Sequence, residues 1–340
     1  MNDKLSPTDT AGVTAVKRTP LTVIRTYFSN NLGIFIAFIS LFVVLSITAP
    51  NFFTIDNILN VLRQITTNSF LSIGVMLAIV IAGIDLTGGS MLALTGCICV
   101  EMITFGGIPI WIAVLVSCLV GVGVGFINGG IITYTGIHPF IVTLAMQSIC
   151  RGAAYLVANG QPVTITNKDF DNIGNGYLGP IPLPVIYMTI FLLLDYFLLN
   201  RTKMGRYIFA VGGNRTAAQY SGINIHKVEI LVYTVSGLLA AFGGVVLASR
   251  MSSGQPSVGI GFETDAVAAA ALGGTSMYGG IGTVGGMILG LFVLGIINNG
   301  LNLLHVNSFW QYVVKGILII IAVYVDMYRK RKDVKVGVTL

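Results

Sequence analysis

Long apolar stretches without charged residues dominate the hydrophobic pattern of this chain. Met102–Cys150 and Ala266–Val314 each run for 49 residues without one Asp, Glu, Lys or Arg. A membrane-spanning helix needs roughly 20 apolar residues, because the hydrocarbon core of a bilayer is about 30 Å thick. Each stretch is long enough to cross a bilayer twice, and the pattern therefore predicts an all-α, polytopic membrane protein.

Division of the pattern at Pro, Gly and clusters of charge gives ten candidate transmembrane helices. We expect one membrane domain over residues 31–327, preceded by a tail at 1–30 and followed by a basic tail at 328–340. The predicted helices are 31–49, 65–82, 89–105, 109–134, 139–157, 183–199, 228–249, 265–279, 283–303 and 309–327.

The composition supports a membrane domain over a soluble one. The chain is 54% hydrophobic and 9% charged, and it contains 42 glycines. Glycine destabilises helices in water, whereas in lipid small residues let neighbouring helices approach closely. Two packing seams are predicted where glycines recur at four-residue spacing: Gly121, Gly125 and Gly129, and Gly282, Gly286 and Gly290.

The distribution of cationic residues predicts the orientation. Lys and Arg concentrate in 1–30, 200–227 and 328–340, and the net charge is +6. Cytoplasmic loops are enriched in Lys and Arg, so we expect all three segments and both termini in the cytoplasm. Six predicted helices separate the first segment from the second, and four separate the second from the third. Both numbers are even, as this orientation requires, and the polar loop 159–182 then faces outward.

A weak internal repeat joins the two halves of the chain. Asn128-Gly129 leads to Pro139-Phe140, and Asn298-Asn299-Gly300 leads to Phe309. Five predicted helices lie between these two Asn-Gly turns, which places the turns on opposite membrane faces. This arrangement is typical of inverted-topology repeats in transporters. Chance recurrence of Asn-Gly turns is the alternative.

A polar, glycine-rich segment, Gly83–Ser90, separates two apolar stretches. Its glycine spacing is similar to that of a phosphate-binding loop, but Gly89 stands where such a loop has its lysine, so we expect no ATP site here. Irregular backbone at membrane depth is tolerated only where protein or a water-filled cavity satisfies its polar groups. Asp85 is therefore expected either to cap a helix start or to line a pathway.

The sequence offers little support for an enzyme or a metal site. The chain has three histidines without metal-ligand spacing and no evident pair of nucleophile and base. The four cysteines all lie within apolar stretches, which argues against a metal site and a disulfide. We expect no metal and no cofactor on this chain. The histidines are His138, His226 and His305, and the cysteines are Cys97, Cys99, Cys118 and Cys150.

The cationic segment 200–227 has the residues of a short helix. Asn214 can cap its start, Ala217 and Ala218 can propagate it, and Gly222 can end it in the left-handed conformation. Small residues facing outward would let such a helix sit in the groove of a partner protein. A solvated positive loop is the alternative on these properties alone.

Four blocks of sequence occur in order between about Pro50 and Asp326. They are Gly83–Leu86 followed by Gly89-Ser90, Thr202–Ile223, Leu272–Gly280, and Asn298–Asn302 with Tyr312 and Lys315-Gly316. Together they resemble the permease subunits of ATP-binding-cassette importers for ribose, allose, galactose and related sugars. One departure is Thr87-Gly88, which stands where the family usually has Ser-Val.

The resemblance implies a permease homodimer in the bacterial inner membrane that imports a monosaccharide. It also implies a cytoplasmic ATPase partner, which uses ATP and Mg, and a periplasmic or lipid-anchored sugar-binding protein. The segment around Asn214–Gly222 would be the coupling helix that docks on the ATPase. The residues expected in this coupling are Gly205, Arg206, Asn214, Ala217, Ala218 and Gly222.

Sugars are neutral polyols, which proteins recognise with amides, hydroxyls and aromatic faces. The candidate pathway residues are Asp85, Ser90, Asn128, Phe140, Gln147, Asn298, Asn299 and Phe309. Intramembrane charges leave an alternative open, a self-contained transporter coupled to H⁺ or Na⁺. Asp195 is expected to snorkel or to pair with Arg201. The other charges of this kind are Glu101, Arg151 and Lys315.

Overall fold

The computed structural model describes residues 32–307, 309–317, 320–321 and 324, and it is helical in the order that the sequence predicts. The two predicted tails lie outside the described residues. The helices are α1 (Leu32–Thr48), α2 (Ile55–Val80), α3 (Gly88–Thr104), α4 (Ile110–Thr135), α5 (Pro139–Val157), α6 (Lys168–Asn175), α7 (Leu183–Arg201), α8 (Lys203–Gly213), α9 (Arg215–Tyr220), α10 (Ile225–Arg250), α11 (Phe262–Leu272) and α12 (Val284–Leu303). Residues 309–317 are also helical.

Four short strands accompany the helices. They are β1 (Val163–Thr164), β2 (Tyr177–Leu178), β3 (Ile181–Pro182) and β4 (Ser253–Gly254). β1 pairs with β4 and β2 with β3, both antiparallel. The loop before α7 therefore packs partly against the segment that follows α10.

Among the described residues, five helices are long and apolar enough to cross a membrane: α4, α5, α7, α10 and α12. The shorter α11 has 11 residues. At 1.5 Å per residue it is about 16 Å long, which is roughly half of the hydrocarbon core. The predicted helix 265–279 is wrong in its second half, because α11 ends at Leu272 and Gly274 and Gly279 beyond it adopt positive φ angles of 81° and 84°.

The start of α2 lies ten residues before the predicted position. Thr54 caps the helix by accepting a hydrogen bond from the Asn57 amide. The polar residues of the first turns then lie on a helix whose later turns are almost entirely buried. The hydrophobic pattern marked the buried portion only.

The core forms around α10, which packs against α2, α3 and α4. The predicted glycine seam of α4 is confirmed, because a methyl group at Gly125 or Gly129 would collide with the α10 backbone at Tyr233 or Ile230. Gly290 of α12 packs in the same close manner against Ala269 of α11. These approaches bring backbones together where any larger side chain would separate them.

An internal repeat is visible in α2 and α10. Both helices have 26 residues and pack against each other. Their caps, Thr54 and Asn224, lie 170 residues apart in sequence. Directly after their C-terminal caps, Ala82 and Ser252 adopt φ angles of 62° and 48° and are again 170 residues apart. Equal length, equal capping and equal exit geometry support two related halves.

The Asn-Gly segments are not turns. Gly129 lies inside α4 and Gly300 inside α12, because the apolar residues around each of them continue the helix. Gly129 packs against Ile230 near the start of α10, on the face of the molecule that carries α8 and α9. Gly300 packs against Leu45 near the end of α1, on the opposite face. The two segments therefore lie near opposite faces, as the repeat predicts.

Candidate functional site

The segment between α2 and α3 is a helix break in the interior of the protein. The Asp85 carboxylate is 3% exposed. One oxygen accepts a hydrogen bond from the Thr87 amide at 2.9 Å, and the other accepts one from the Ser236 hydroxyl at 2.6 Å. Asp85 lies two residues before Thr87, the N-cap residue of α3, so its side chain closes the turn into the helix and fixes that turn to α10.

Two further helices satisfy the polar groups of this break. The Asn128 amide of α4 donates a hydrogen bond to the Thr87 hydroxyl at 2.9 Å. The Thr143 hydroxyl of α5 donates one to the Ile84 carbonyl at 3.2 Å. Three helices thus hold one short irregular segment, so a shift of any of these helices would strain the break.

A close contact of glycines connects this break to α8. The Gly280 amide donates a hydrogen bond to the Val80 carbonyl at 2.8 Å, which joins the end of α2 to the loop between α11 and α12. Gly212 of α8 lies against both groups, and a methyl group there would overlap the Val80 carbonyl. We call Val80, Gly212, Gly279 and Gly280 the glycine junction. At this junction α8 contacts both the end of α2 and the loop between α11 and α12.

The short helix predicted in the cationic segment is confirmed as α9. The Asn214 side chain accepts a hydrogen bond from the Ala217 amide at 2.9 Å, and Gly222 follows the helix with a φ of 81°. Arg215 forms an ion pair with Glu229 of α10. The helix is therefore attached to α10 at its first residue.

The residues expected in coupling divide between surface and interior. Arg206, Asn214, Ala217 and Gly222 are exposed, whereas Gly205 packs against the end of α7. The expectation that the small residues point outward is wrong for Ala218, which is 4% exposed and packs in the core. The exposed surface of α9 includes Thr216, Ala217, Gln219 and Tyr220. Tyr220 is 89% exposed.

A polar cavity of about 380 Å³ lies between α3, α5 and the start of α11. The Gln147 amide donates a hydrogen bond to Glu263 at 2.8 Å. The Arg151 guanidinium donates two, to the carbonyls of Pro256 and Val258 at 2.6 and 2.7 Å. These bonds fix the wall of the cavity. Its lining residues are Ser90, Gln147, Ser148, Arg151, Tyr155, Ile260 and Glu263.

The cavity brings together two of the predicted pathway residues, Ser90 and Gln147. Sequence reasoning did not place Arg151 and Glu263 beside them. The signal that could have indicated Arg151 and Glu263 is an ionisable residue among apolar ones, because ionisable groups at membrane depth are costly and commonly functional.

The other predicted pathway residues lie elsewhere. Asn299 is buried and exchanges two side-chain hydrogen bonds with Asn57, at 3.0 and 2.8 Å, so its amide is occupied in joining α12 to α2. Asn298 beside it is half-buried. Phe140 and Phe309 are exposed by 42% and 76%. None of the four lines the polar cavity.

The intramembrane charges have different environments. Lys315 forms an ion pair with Asp265 of α11 at 2.7 Å. Asp195 is 4% exposed, and neither of its carboxylate oxygens has a hydrogen-bond partner among the described residues. The expectations that Asp195 snorkels or pairs with Arg201 are both wrong. The packing of α7 against α2 keeps its carboxylate buried.

Membrane-spanning helices, interrupted helices and a cavity lined by polar side chains together define an α-helical membrane protein of the permease class. The sequence profile of the family described as "Branched-chain amino acid transport system / permease component" matches residues 57–323. The chain therefore belongs to this permease family.

Curated relatives cover most of the chain. It is 42% identical to the Ribose import permease protein RbsC of Haemophilus influenzae over 298 residues, which are 86% of this chain and 92% of the relative. The protein of that name from Bacillus subtilis is also 42% identical, over 87% and 92% of the two chains. The D-allose transport system permease protein AlsC of Escherichia coli is 39% identical over 83% and 86%. No solved structure gives a significant match.

Proposed function

We propose that this chain is the membrane subunit of an ATP-binding-cassette importer for a monosaccharide of the ribose and allose class. The observation that carries the proposal is the polar cavity beside the interrupted helix, because its hydroxyl, amide and phenol groups suit a neutral polyol. The names of relatives at 39–42% identity support a sugar over the branched-chain amino acid in the family description.

In this proposal the sugar passes along α5. Ser90, Gln147 and Tyr155 offer hydrogen bonds to its hydroxyls, while Arg151 and Glu263 hold the cavity open through the bonds they already make. Hydrolysis of ATP takes place on a separate subunit. Its effect would enter through α8 and α9 and reach the helix break by way of the glycine junction.

The surface of α5 suits a second copy of this chain. Its buried residues are confined to one side, Val142, Thr143, Cys150 and Ala154. The exposed side carries Ser148 and Gly152 at four-residue spacing, which lets membrane helices approach closely. A homodimer along α5 would place two polar cavities beside one central pathway. The face with α8 and α9, together with both termini, would lie in the cytoplasm against the ATPase, and the α6 face would receive the sugar-binding protein.

Uptake by the reconstituted assembly tests the proposed function. Proteoliposomes containing this chain, its ATPase and its binding protein should accumulate labelled ribose or allose only when ATP is supplied to the ATPase. The same vesicles should not accumulate leucine. Accumulation driven by an H⁺ or Na⁺ gradient without the ATPase would establish the secondary-transporter alternative and refute the proposal.

Replacement of Gln147 by Ala should reduce sugar uptake about tenfold. The change removes an amide from the cavity wall and takes from the buried Glu263 carboxylate its side-chain donor, leaving only the Gly261 amide. Such a loss costs about 1–3 kcal/mol, and 1.4 kcal/mol corresponds to a factor of ten. Initial uptake rates over a range of sugar concentrations measure the effect. Asn200→Ala, which removes an exposed amide at the end of α7, is the matched control and should retain full uptake. Equal rates for both variants would remove Gln147 from the pathway.

A further inference from the structure

Asp195 lies in a cavity that the proposed transport pathway does not use. The cavity measures about 310 Å³ and lies between α7, α10 and α2. It shares no lining residue with the polar cavity. Its lining residues are Ile73, Phe191, Leu194, Asp195, Phe197, Leu198, Thr202, Val235, Leu238 and Leu239.

The carboxylate of Asp195 is the only charged group of this lining. It is 4% exposed and receives no hydrogen bond from the residues that the structure describes. Burial of an unpaired carboxylate among apolar side chains is strongly unfavourable unless the group is neutralised or finds a cation. The remainder of the wall is apolar except for Thr202. Asp195 is therefore the one group of this wall that can hold a cation, through a carboxylate that lies just beneath the cavity surface.

The chemistry of the wall selects the kind of cation. Ca²⁺ needs six to eight oxygen ligands, and Mg²⁺ needs an octahedral set. The Thr202 hydroxyl already donates to the Leu198 carbonyl at 2.6 Å and accepts from the Gly205 amide at 3.0 Å. One carboxylate cannot supply such a set. An organic ammonium with a hydrophobic body satisfies both the carboxylate and the apolar wall.

We propose that this cavity binds a small hydrophobic primary amine, with the ammonium group on Asp195 and the hydrocarbon body against Phe191 and Leu239. The volume lies at the lower end of the range for pockets that hold drug-sized ligands, so the occupant is a small molecule and not a whole lipid. Leu194 and Phe197, which are 57% and 59% exposed, border the cavity on the outer surface of the helices. The amine enters there from the lipid phase.

Binding of 1-adamantanamine and of 1-adamantanol to the purified full-length protein in a neutral detergent tests this site. The two probes share one rigid hydrocarbon body and differ in charge. Wild-type protein should bind the amine at least tenfold more tightly than the alcohol, as measured by the shift of the thermal unfolding temperature over a titration of each probe. In Asp195→Asn, a change of nearly equal size, the affinity for the amine should fall to that for the alcohol.

Leu238→Phe provides a second variant that keeps the carboxylate and fills the cavity. It should weaken the binding of both probes, and it decides the question if Asp195→Asn does not fold. Three results would overturn the proposal: no binding of the amine to wild-type protein, equal binding of amine and alcohol to it, or unchanged binding of the amine in the variants that fold. Because no sugar, ATPase or binding protein is present, failure here leaves the proposed importer function unaffected.

Discussion

Gly212→Ala is expected to abolish sugar transport. A methyl group at this position would overlap the Val80 carbonyl and crowd the Gly280 amide, both of which are backbone groups that cannot rotate away. Overpacking of this kind commonly costs 1–3 kcal/mol and displaces backbone. The displacement would separate α8 from the ends of two interrupted helices, so ATP hydrolysis would no longer move the helix break. Uptake in proteoliposomes containing all partners should fall to background.

Gly213→Ala is the matched control, because apart from its chain neighbours and the backbone of its own helix no atom lies within 4 Å of the position that its methyl group would take. It should transport at nearly the wild-type rate, although both variants make the same chemical change in neighbouring residues of α8. Thermal unfolding of both purified variants separates loss of coupling from loss of folding. Normal transport by Gly212→Ala would show that the glycine junction does not transmit coupling.

Ala217→Arg is expected to uncouple the permease from its ATPase without unfolding it. Ala217 is exposed on α9 beside Tyr220, so an added arginine would disturb a partner surface and leave the packing of this chain intact. Uptake and sugar-stimulated ATP hydrolysis should both fall to background, because a coupling free energy acts in both directions between two sites. Both are measured in the same reconstituted vesicles.

Asn200→Arg adds the same cation to an exposed position at the end of α7, outside α9, and should retain activity. Comparison of the two variants separates the position of the new charge from its presence. If Ala217→Arg transports at the wild-type rate, the exposed side of α9 is merely solvated and the ATPase docks elsewhere. If only uptake falls while stimulated hydrolysis persists, α9 does not carry the signal from permease to ATPase.

Local sequence pattern was sufficient for the helices and for α9. The apolar stretches place α4 and α5 within one residue of their observed ends. The cap at Asn214 and the left-handed Gly222 were predicted because each depends on residues within one turn. The end of α11 was missed because alanine-rich and glycine-rich sequence continues apolar beyond it, and only the backbone angles at Gly274 and Gly279 mark the boundary.

The features that the sequence did not predict depend on contacts between residues far apart in the chain. Asn57 and Asn299 are 242 positions apart, and their paired amides explain why Asn299 is not free to meet a sugar. Gln147 and Glu263 are 116 positions apart, and no local pattern shows that they form one wall. Ala218 faces inward because α9 contacts α10, and the composition of the segment does not reveal this contact.

The repeat of α2 and α10 bears on the direction of transport. The connections that lead into them differ greatly in length: residues 49–54 join α1 to α2, whereas residues 202–224, which include α8 and α9, join α7 to α10. Two related halves placed upside down would give the protein two equivalent ends. The longer connection, with α8 and α9, removes this equivalence, because it offers an ATPase a docking surface at one end only. The unequal length of these two connections would thus set the direction of transport, while α2 and α10 keep their two-fold likeness.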